Sequence, residues 1–211
     1  MRDNNFRSTN GGSVGTGGVA QVSKLFHGMF PGAEIPINTP EQDMDAFDRD
    51  RFKQAIAQVE SKGGKYMTSF DPNSTARGLY QQRYSDIKDM PELQGMTIDQ
   101  FTNDTEMQNR IMDMALEKGI AGANRGMIQS SEELMNEYAP QLGDQMDLSQ
   151  EDIAALIHFM GRQGTRNYLG YHLRDKQPLE QALPNMYGTG KIAENKTPEE
   201  YIRLFRESYN R

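Results

Sequence analysis

Phe52, Ile56 and Val59 stand four and three residues apart, the spacing that gathers apolar side chains on one face of a helix. The pattern predicts a helix over 45–61, ended by Gly63-Gly64, because glycine accepts the backbone conformations found just past a helix C-terminus. The periodicity lapses over 64–77, where Asp71-Pro72-Asn73-Ser74 marks a turn and the sequence leaves room for a short hairpin. A short helix is expected over 79–88. Met107, Ile111, Met114 and Ala115 form a stripe over 104–117, with Gly119 as its stop. A further helix is expected within 124–138, with Pro140 beyond its end. Ser149-Gln150-Glu151-Asp152 reads as a capping box with Asp in place of Glu, opening a helix over 153–159 that Gly161 ends. Another helix is expected over 165–173. Thr197 as N-cap, Pro198 at the first helical position and Glu200 at the third open the last helix, with Tyr201, Leu204 and Phe205 as its apolar residues. No long alternating strand pattern and no internal repeat interrupts this series. The pattern therefore predicts an all-α fold with at most a short β-hairpin.

The N-terminal part differs in kind. Residues 1–20 are rich in Gly, Ser, Thr and Asn, the composition of a flexible arm. Between Val22 and Pro40 the chain is apolar but broken by Pro31, Pro36 and Pro40, which predicts an extended lead-in. The expected organisation is an arm and lead-in over 1–40, a main domain over 41–175 and a helical extension over 176–211. The glycines do not build a phosphate loop. Gly11 to Gly18 contain no lysine, and Gly188-Thr189-Gly190-Lys191 has Asn185 at the first glycine position and Ile192 after the lysine.

Composition narrows the function classes. The 211 residues carry a formal net charge of -7. An acidic chain is a poor general binder of nucleic acid, which needs clustered Lys and Arg. The absence of cysteine removes disulfides, thiolate zinc sites and a Cys nucleophile. His27, His158 and His172 show no metal-ligand spacing, so neither metal nor cofactor is expected, and the 14 methionines fit core filling. No stretch approaches the ~18 apolar residues of a membrane span, so no membrane insertion is expected. Met1 to Arg7 has no apolar run behind it, so no secretory signal is expected and delivery outside the cytoplasm would need another route.

Candidate chemistry centres on Glu60, in Val59-Glu60-Ser61-Lys62-Gly63-Gly64 at the end of the first helix. A carboxyl in a partly apolar cleft keeps its proton towards neutral pH and can act as an acid. Ala76-Arg77-Gly78-Leu79-Tyr80-Gln81 follows after a loop. These two segments resemble the lytic transglycosylase domain of the lysozyme superfamily, in the versions carried by phage particles. The family's first motif is Glu-Ser, matched by Glu60-Ser61. Its second is Gly-Ala-x-Gly-Leu-Met/Phe-Gln, against Thr75-Ala76-Arg77-Gly78-Leu79-Tyr80-Gln81 here, with Thr75 for the first glycine and Tyr80 for Met/Phe. Ala154 to Gly161 resembles the family's third motif, although His158-Phe159-Met160-Gly161 stands where Tyr-Asn-Ala-Gly is commoner. The resemblance covers about 45–173.

It implies a lysozyme-like fold and cleavage of peptidoglycan between N-acetylmuramic acid and N-acetylglucosamine. Glu60 would protonate the leaving oxygen and then act as base on the muramoyl 6-hydroxyl, closing a 1,6-anhydro ring without water. Ser61 would either fix the Glu60 carboxyl or cap the helix. Gly78, Leu79, Tyr80 and Gln81 would line the glycan cleft, with Gln81 on the N-acetyl group and Tyr80 alternatively in the core. His158 and Tyr168 are further substrate-binding candidates, each with a packing role as the competing reading. A hydrolytic muramidase or endolysin would need a second carboxylate, for which Asp71 is the one candidate and a turn role its competitor. A virion protein that kept the fold and lost the activity is the other alternative. The resemblance implies a protein of the virion acting in the host periplasm and cell wall, with glycan strands as substrate and other virion proteins as partners of the arm.

Overall fold

The protein is seen in a computed structural model that describes residues 47–68, 74–120, 123–182 and 196–211. The arm and lead-in over 1–40, the turn containing Asp71 and the Gly188–Lys191 segment lie outside the described residues. Asp45–Arg211 forms one compact unit, mostly helical with one small antiparallel hairpin.

Helix α1 (Arg49–Ser61) begins where the Asp48 side chain accepts from the backbone N–H of Arg51, satisfying one of the donors that a helix start leaves open. It stops at Lys62, which adopts a left-handed φ of 52°, while the Gly63 N–H returns to the Ala57 carbonyl at 3.0 Å. Phe52 and Ile56 are fully buried, each contributing roughly 1.5–3 kcal/mol over exposure to water.

The hairpin begins inside the loop where it was expected and extends beyond it. Strands β1 (Ala76–Arg77) and β2 (Gln82–Arg83) pair antiparallel, and Thr68 bridges to Arg77. The helix expected over 79–88 is consequently only α2 (Tyr84–Ile87). Gly78 at φ 81° and Gln81 at φ 47° turn the chain back on itself, and neither conformation fits a right-handed helix.

Helix α3 (Ile98–Asn103) opens on a capping box between Thr97 and Gln100. It leads into α4 (Thr105–Glu117), capped by Asp104. Helix α5 (Met127–Leu142) runs through Pro140, which had been expected beyond its end. A proline in the last turn removes only one intrahelical bond, and Gly143 at φ 53° ends the helix. Helix α6 (Gln150–Asn167) carries the expected Ser149–Asp152 capping box. Gly161 at φ 71° breaks its regularity, where the sequence placed a stop. The chain resumes helical geometry and continues as a π-helical segment over Tyr168–Arg174. Short α7 (Leu179–Ala182) follows, and α8 (Pro198–Tyr209) opens on Thr197 as expected.

Helices α1, α6 and α8 pack together, and α5 packs on α6. The last helix, expected in an extension after 175, thus belongs to the same body. Phe52, Ile56, Met112, Leu116, Ala154, Ala155, Tyr201 and Phe205 share one core cluster. Leu134, Tyr138, Leu156, Tyr168, Leu169 and Ile202 form a second on the far side of α6 and α8. Asp152, buried on α6, ties the helices together. It accepts from Arg206 Nη2 at 2.8 Å and from Nε at 3.1 Å.

Candidate functional site

Glu60 is the last residue but one of α1, and its position is fixed by how that helix ends. Ser61 Oγ donates to the Ala57 carbonyl at 3.0 Å and accepts from the Gly64 N–H at 2.9 Å. Ser61 is fully buried. Of its two readings the structure shows the cap: the hydroxyl closes the helix end and holds the Glu60 backbone in place.

The Glu60 side chain is 17% exposed, so the carboxyl is sheltered without being sealed off. Its Oε1 accepts a hydrogen bond from the Tyr201 hydroxyl at 2.6 Å. His158 Nε2 lies 3.8 Å from the same oxygen. Tyr201 comes from α8 and His158 from α6, so three helices converge on one carboxyl. The Tyr201 ring stacks on Phe159 at 4.3 Å between centroids and 16° between planes, which limits where its hydroxyl can point.

The Gly78–Gln81 turn forms the fourth side. Its Tyr80 carbonyl accepts from His158 Nε2 at 3.1 Å. At Gly78 a Cβ would sit 2.5 Å from Cδ of Gln108, so no other residue fits without displacing that side chain. Gln108, 1% exposed, holds the turn: Oε1 accepts from the Leu79 N–H at 2.8 Å, and Nε2 donates to the carbonyls of Phe101 and Thr102. Leu79 covers Gly64 at the end of α1. Gln81 donates from Nε2 to the carbonyls of Gly78 and Tyr66 at 3.0 and 3.2 Å. The structure therefore shows the Gln81 amide nitrogen bracing the turn.

Tyr80 and Tyr168 depart from the cleft-wall role. The Tyr80 ring is buried in the first core cluster and its hydroxyl donates to Asn109. Burial, helped by the nearby charges of Asp113 and Asp50, pushes its phenol up to about 12. Only its carbonyl faces the site. Tyr168 belongs to the second cluster, stacked on His172 at 5.4 Å. Burial and the neighbouring Glu199 push its phenol upward. It lines a separate groove with Leu148, Glu199, Ile202 and Arg203. Gly161, at φ 71° and ψ 164°, breaks the helical geometry between His158 and Tyr168, so a plain helical register does not carry from one to the other.

His158 is drawn two ways. Burial pushes its imidazole below the usual value, while the Glu60 carboxylate and the Tyr80 carbonyl pull it back up, and burial wins. Tyr201 and Gln108 were not singled out in the sequence. Tyr201 occupies an apolar position of the last helix, and the only hint was a hydroxyl where Leu or Phe would fill the stripe. Gln108 carried a clearer hint, a polar residue directly after Met107 on the buried side of a helix.

Among the described residues, no cluster of three or more His, Cys, Asp or Glu could hold a metal ion. No described helix is long and apolar enough to cross a membrane. Comparison with family models, with curated proteins and with solved structures gave no match.

Proposed function

We propose that this protein is a peptidoglycan lytic transglycosylase of lysozyme-like fold, with Glu60 as its one acid and base. The observation that carries the reading is the state of that carboxyl: mostly buried at the end of α1, hydrogen-bonded by Tyr201 and still reachable from solvent. In the proposed reaction Glu60 gives its proton to the glycosidic oxygen as the bond from C1 of N-acetylmuramic acid breaks. Tyr201 occupies Oε1, so the second oxygen carries that proton. The carboxylate then takes the proton of the muramoyl 6-hydroxyl, O6 bonds to C1, and Glu60 is ready again. No water is consumed. A hydrolase would instead need a second carboxylate to orient water. Among the described residues, the polar groups beside Glu60 are the Tyr201 phenol and the His158 imidazole; Asp71 lies outside them.

The remaining substrate contacts assigned to the site are modest. Gly78 lets the turn approach closely, Leu79 borders the end of α1, and the Gln81 amide oxygen, which its bracing bonds leave uncommitted, is the contact offered to a sugar N-acetyl group. The biological setting proposed is a phage particle, where residues 1–40 attach the enzyme to other virion proteins and the wall is opened locally during genome entry. A virion protein that keeps this fold without activity is the second reading. Burial of the Tyr80 ring favours it, since that removes a wall residue from the cleft. Purified cell walls decide between them. Muropeptides ending in 1,6-anhydro-N-acetylmuramic acid support the transglycosylase, new reducing ends the hydrolase, and no release by folded protein the structural role.

A further inference from the structure

His158 was a substrate-binding candidate, but its Nε2 is committed to the protein. A carbonyl oxygen can only accept, so the 3.1 Å contact between Nε2 and the Tyr80 carbonyl requires the proton on Nε2. That fixes the neutral ring as the Nε2–H tautomer. The same Nε2–H stands 3.8 Å from Glu60 Oε1. We propose that His158 is a positioning residue for Glu60: its Nε2–H clamps the Gly78–Gln81 turn to α6 beside the acid.

The inference rests on Glu60 being the catalytic acid and deepens that reading. An imidazolium so close to the acid opposes the positive charge that develops at the anomeric carbon. A ring kept out of water resists taking on that charge.

The groups that act on the ring come from each element around it. Helix α1 supplies Glu60, the turn supplies the Tyr80 carbonyl while the Tyr80 phenol turns to Asn109, and α8 supplies Tyr201 through its bond to Glu60. The acids of α5, Glu133 and Glu137, are engaged by Arg162 and Arg166. Lys and Arg are not among the charges acting on it.

The test compares full-length wild type with His158→Gln, which keeps a donor nitrogen at the same distance along the side chain, and His158→Leu, which does not. Imidazole nitrogen spectra, with His158 assigned by its disappearance in His158→Gln, are expected to show the Nε2–H form. Its titration is expected below the ordinary imidazole value, and lower still in Glu60→Gln, which removes the charge favouring the cation. The Nδ1–H form, or a titration indifferent to Glu60→Gln, overturns the inference. On purified peptidoglycan, His158→Gln is expected to keep anhydro-product release within about threefold at pH 7 and to lose the wild-type fall in rate on the acid side. His158→Leu is expected to lose roughly tenfold or more in kcat with KM nearly unchanged. A folded His158→Leu with wild-type kcat and pH profile overturns the inference. If wild type releases no anhydro product, the lytic reading fails, and the spectra alone then uphold or overturn the Nε2–H clamp.

Discussion

Replacing Tyr201 by Phe removes one oxygen atom and leaves the rest of the site standing. The ring is 1% exposed and stacks on Phe159, and both features survive in Phe. What goes is a 2.6 Å hydrogen bond to Glu60 Oε1. A bond to the carboxylate that forms as Glu60 gives up its proton is worth about 1.5–3 kcal/mol. The Glu60 side chain is 17% exposed, so water can replace part of that, and the lower half of the range applies. Tyr201 acts by fixing which oxygen delivers the proton, so the loss falls on the bond-breaking step. At 1.36 kcal/mol per decade this is roughly 10–45-fold in kcat, with KM changed little. The assay is the rate of anhydro-muropeptide release from purified sacculi across a range of substrate concentrations, alongside a thermal melt. The melting temperature is expected to fall by no more than about 4 °C. Wild-type kcat in Tyr201→Phe would refute the reasoning. So would a loss of rate that only tracks a loss of folded protein.

Gly78→Ala would drive a Cβ to within 2.5 Å of Gln108 at a backbone φ of 81°. Overpacking and left-handed strain together cost about 2–4 kcal/mol, so denaturant midpoints should drop accordingly and activity should fall further than in Tyr201→Phe. An unchanged midpoint would contradict the packing described for the turn. Stability should also depend on His158. Its folded value is depressed below the ~6.5 of an unfolded chain, so the unfolded state takes up the proton first. The contribution is fully present above about pH 6.5 and is lost as pH falls towards the folded value, with a slope of at most ~1.4 kcal/mol per pH unit. Urea midpoints measured from pH 7.5 down to pH 5 should show this slope in wild type and lack it in His158→Gln. Parallel curves would contradict it.

The helices were legible because each has a local cause written in the sequence. The Thr197-Pro198 start of α8, the Ser149–Asp152 box of α6 and the stripe of α4 needed no tertiary information. The Thr97–Gln100 box that opens α3 is equally local. The second strand, past 77, was not legible because its turn has Gln81 at a left-handed φ, which is stabilised by its amide bonds to Gly78 and Tyr66 rather than by any intrinsic preference.

At the site, Glu60 and the Gly78 turn could be picked out from adjacent residues. Tyr201 could not, because it lies 141 residues from Glu60 and only the packing of α8 on α1 brings them together. Tyr80 was ambiguous for a related reason. A tyrosine in a turn can face solvent or core, and Asn109, on another helix, supplies the buried partner that decides it. Tyr168 was ambiguous because its direction depends on how the chain passes Gly161, where the helix is broken at φ 71° and ψ 164°.

The central claim is that one sheltered carboxyl both gives and takes the proton. Digestion of purified sacculi by wild type and Glu60→Gln, with the released sugars resolved by mass, tests it most directly. Wild type should release muropeptides 18 Da lighter than the hydrolysed form, the mass of the water not consumed, and Glu60→Gln should release none while keeping the wild-type fold. Lighter products still released by Glu60→Gln, or products from wild type that all carry the added water, would contradict it.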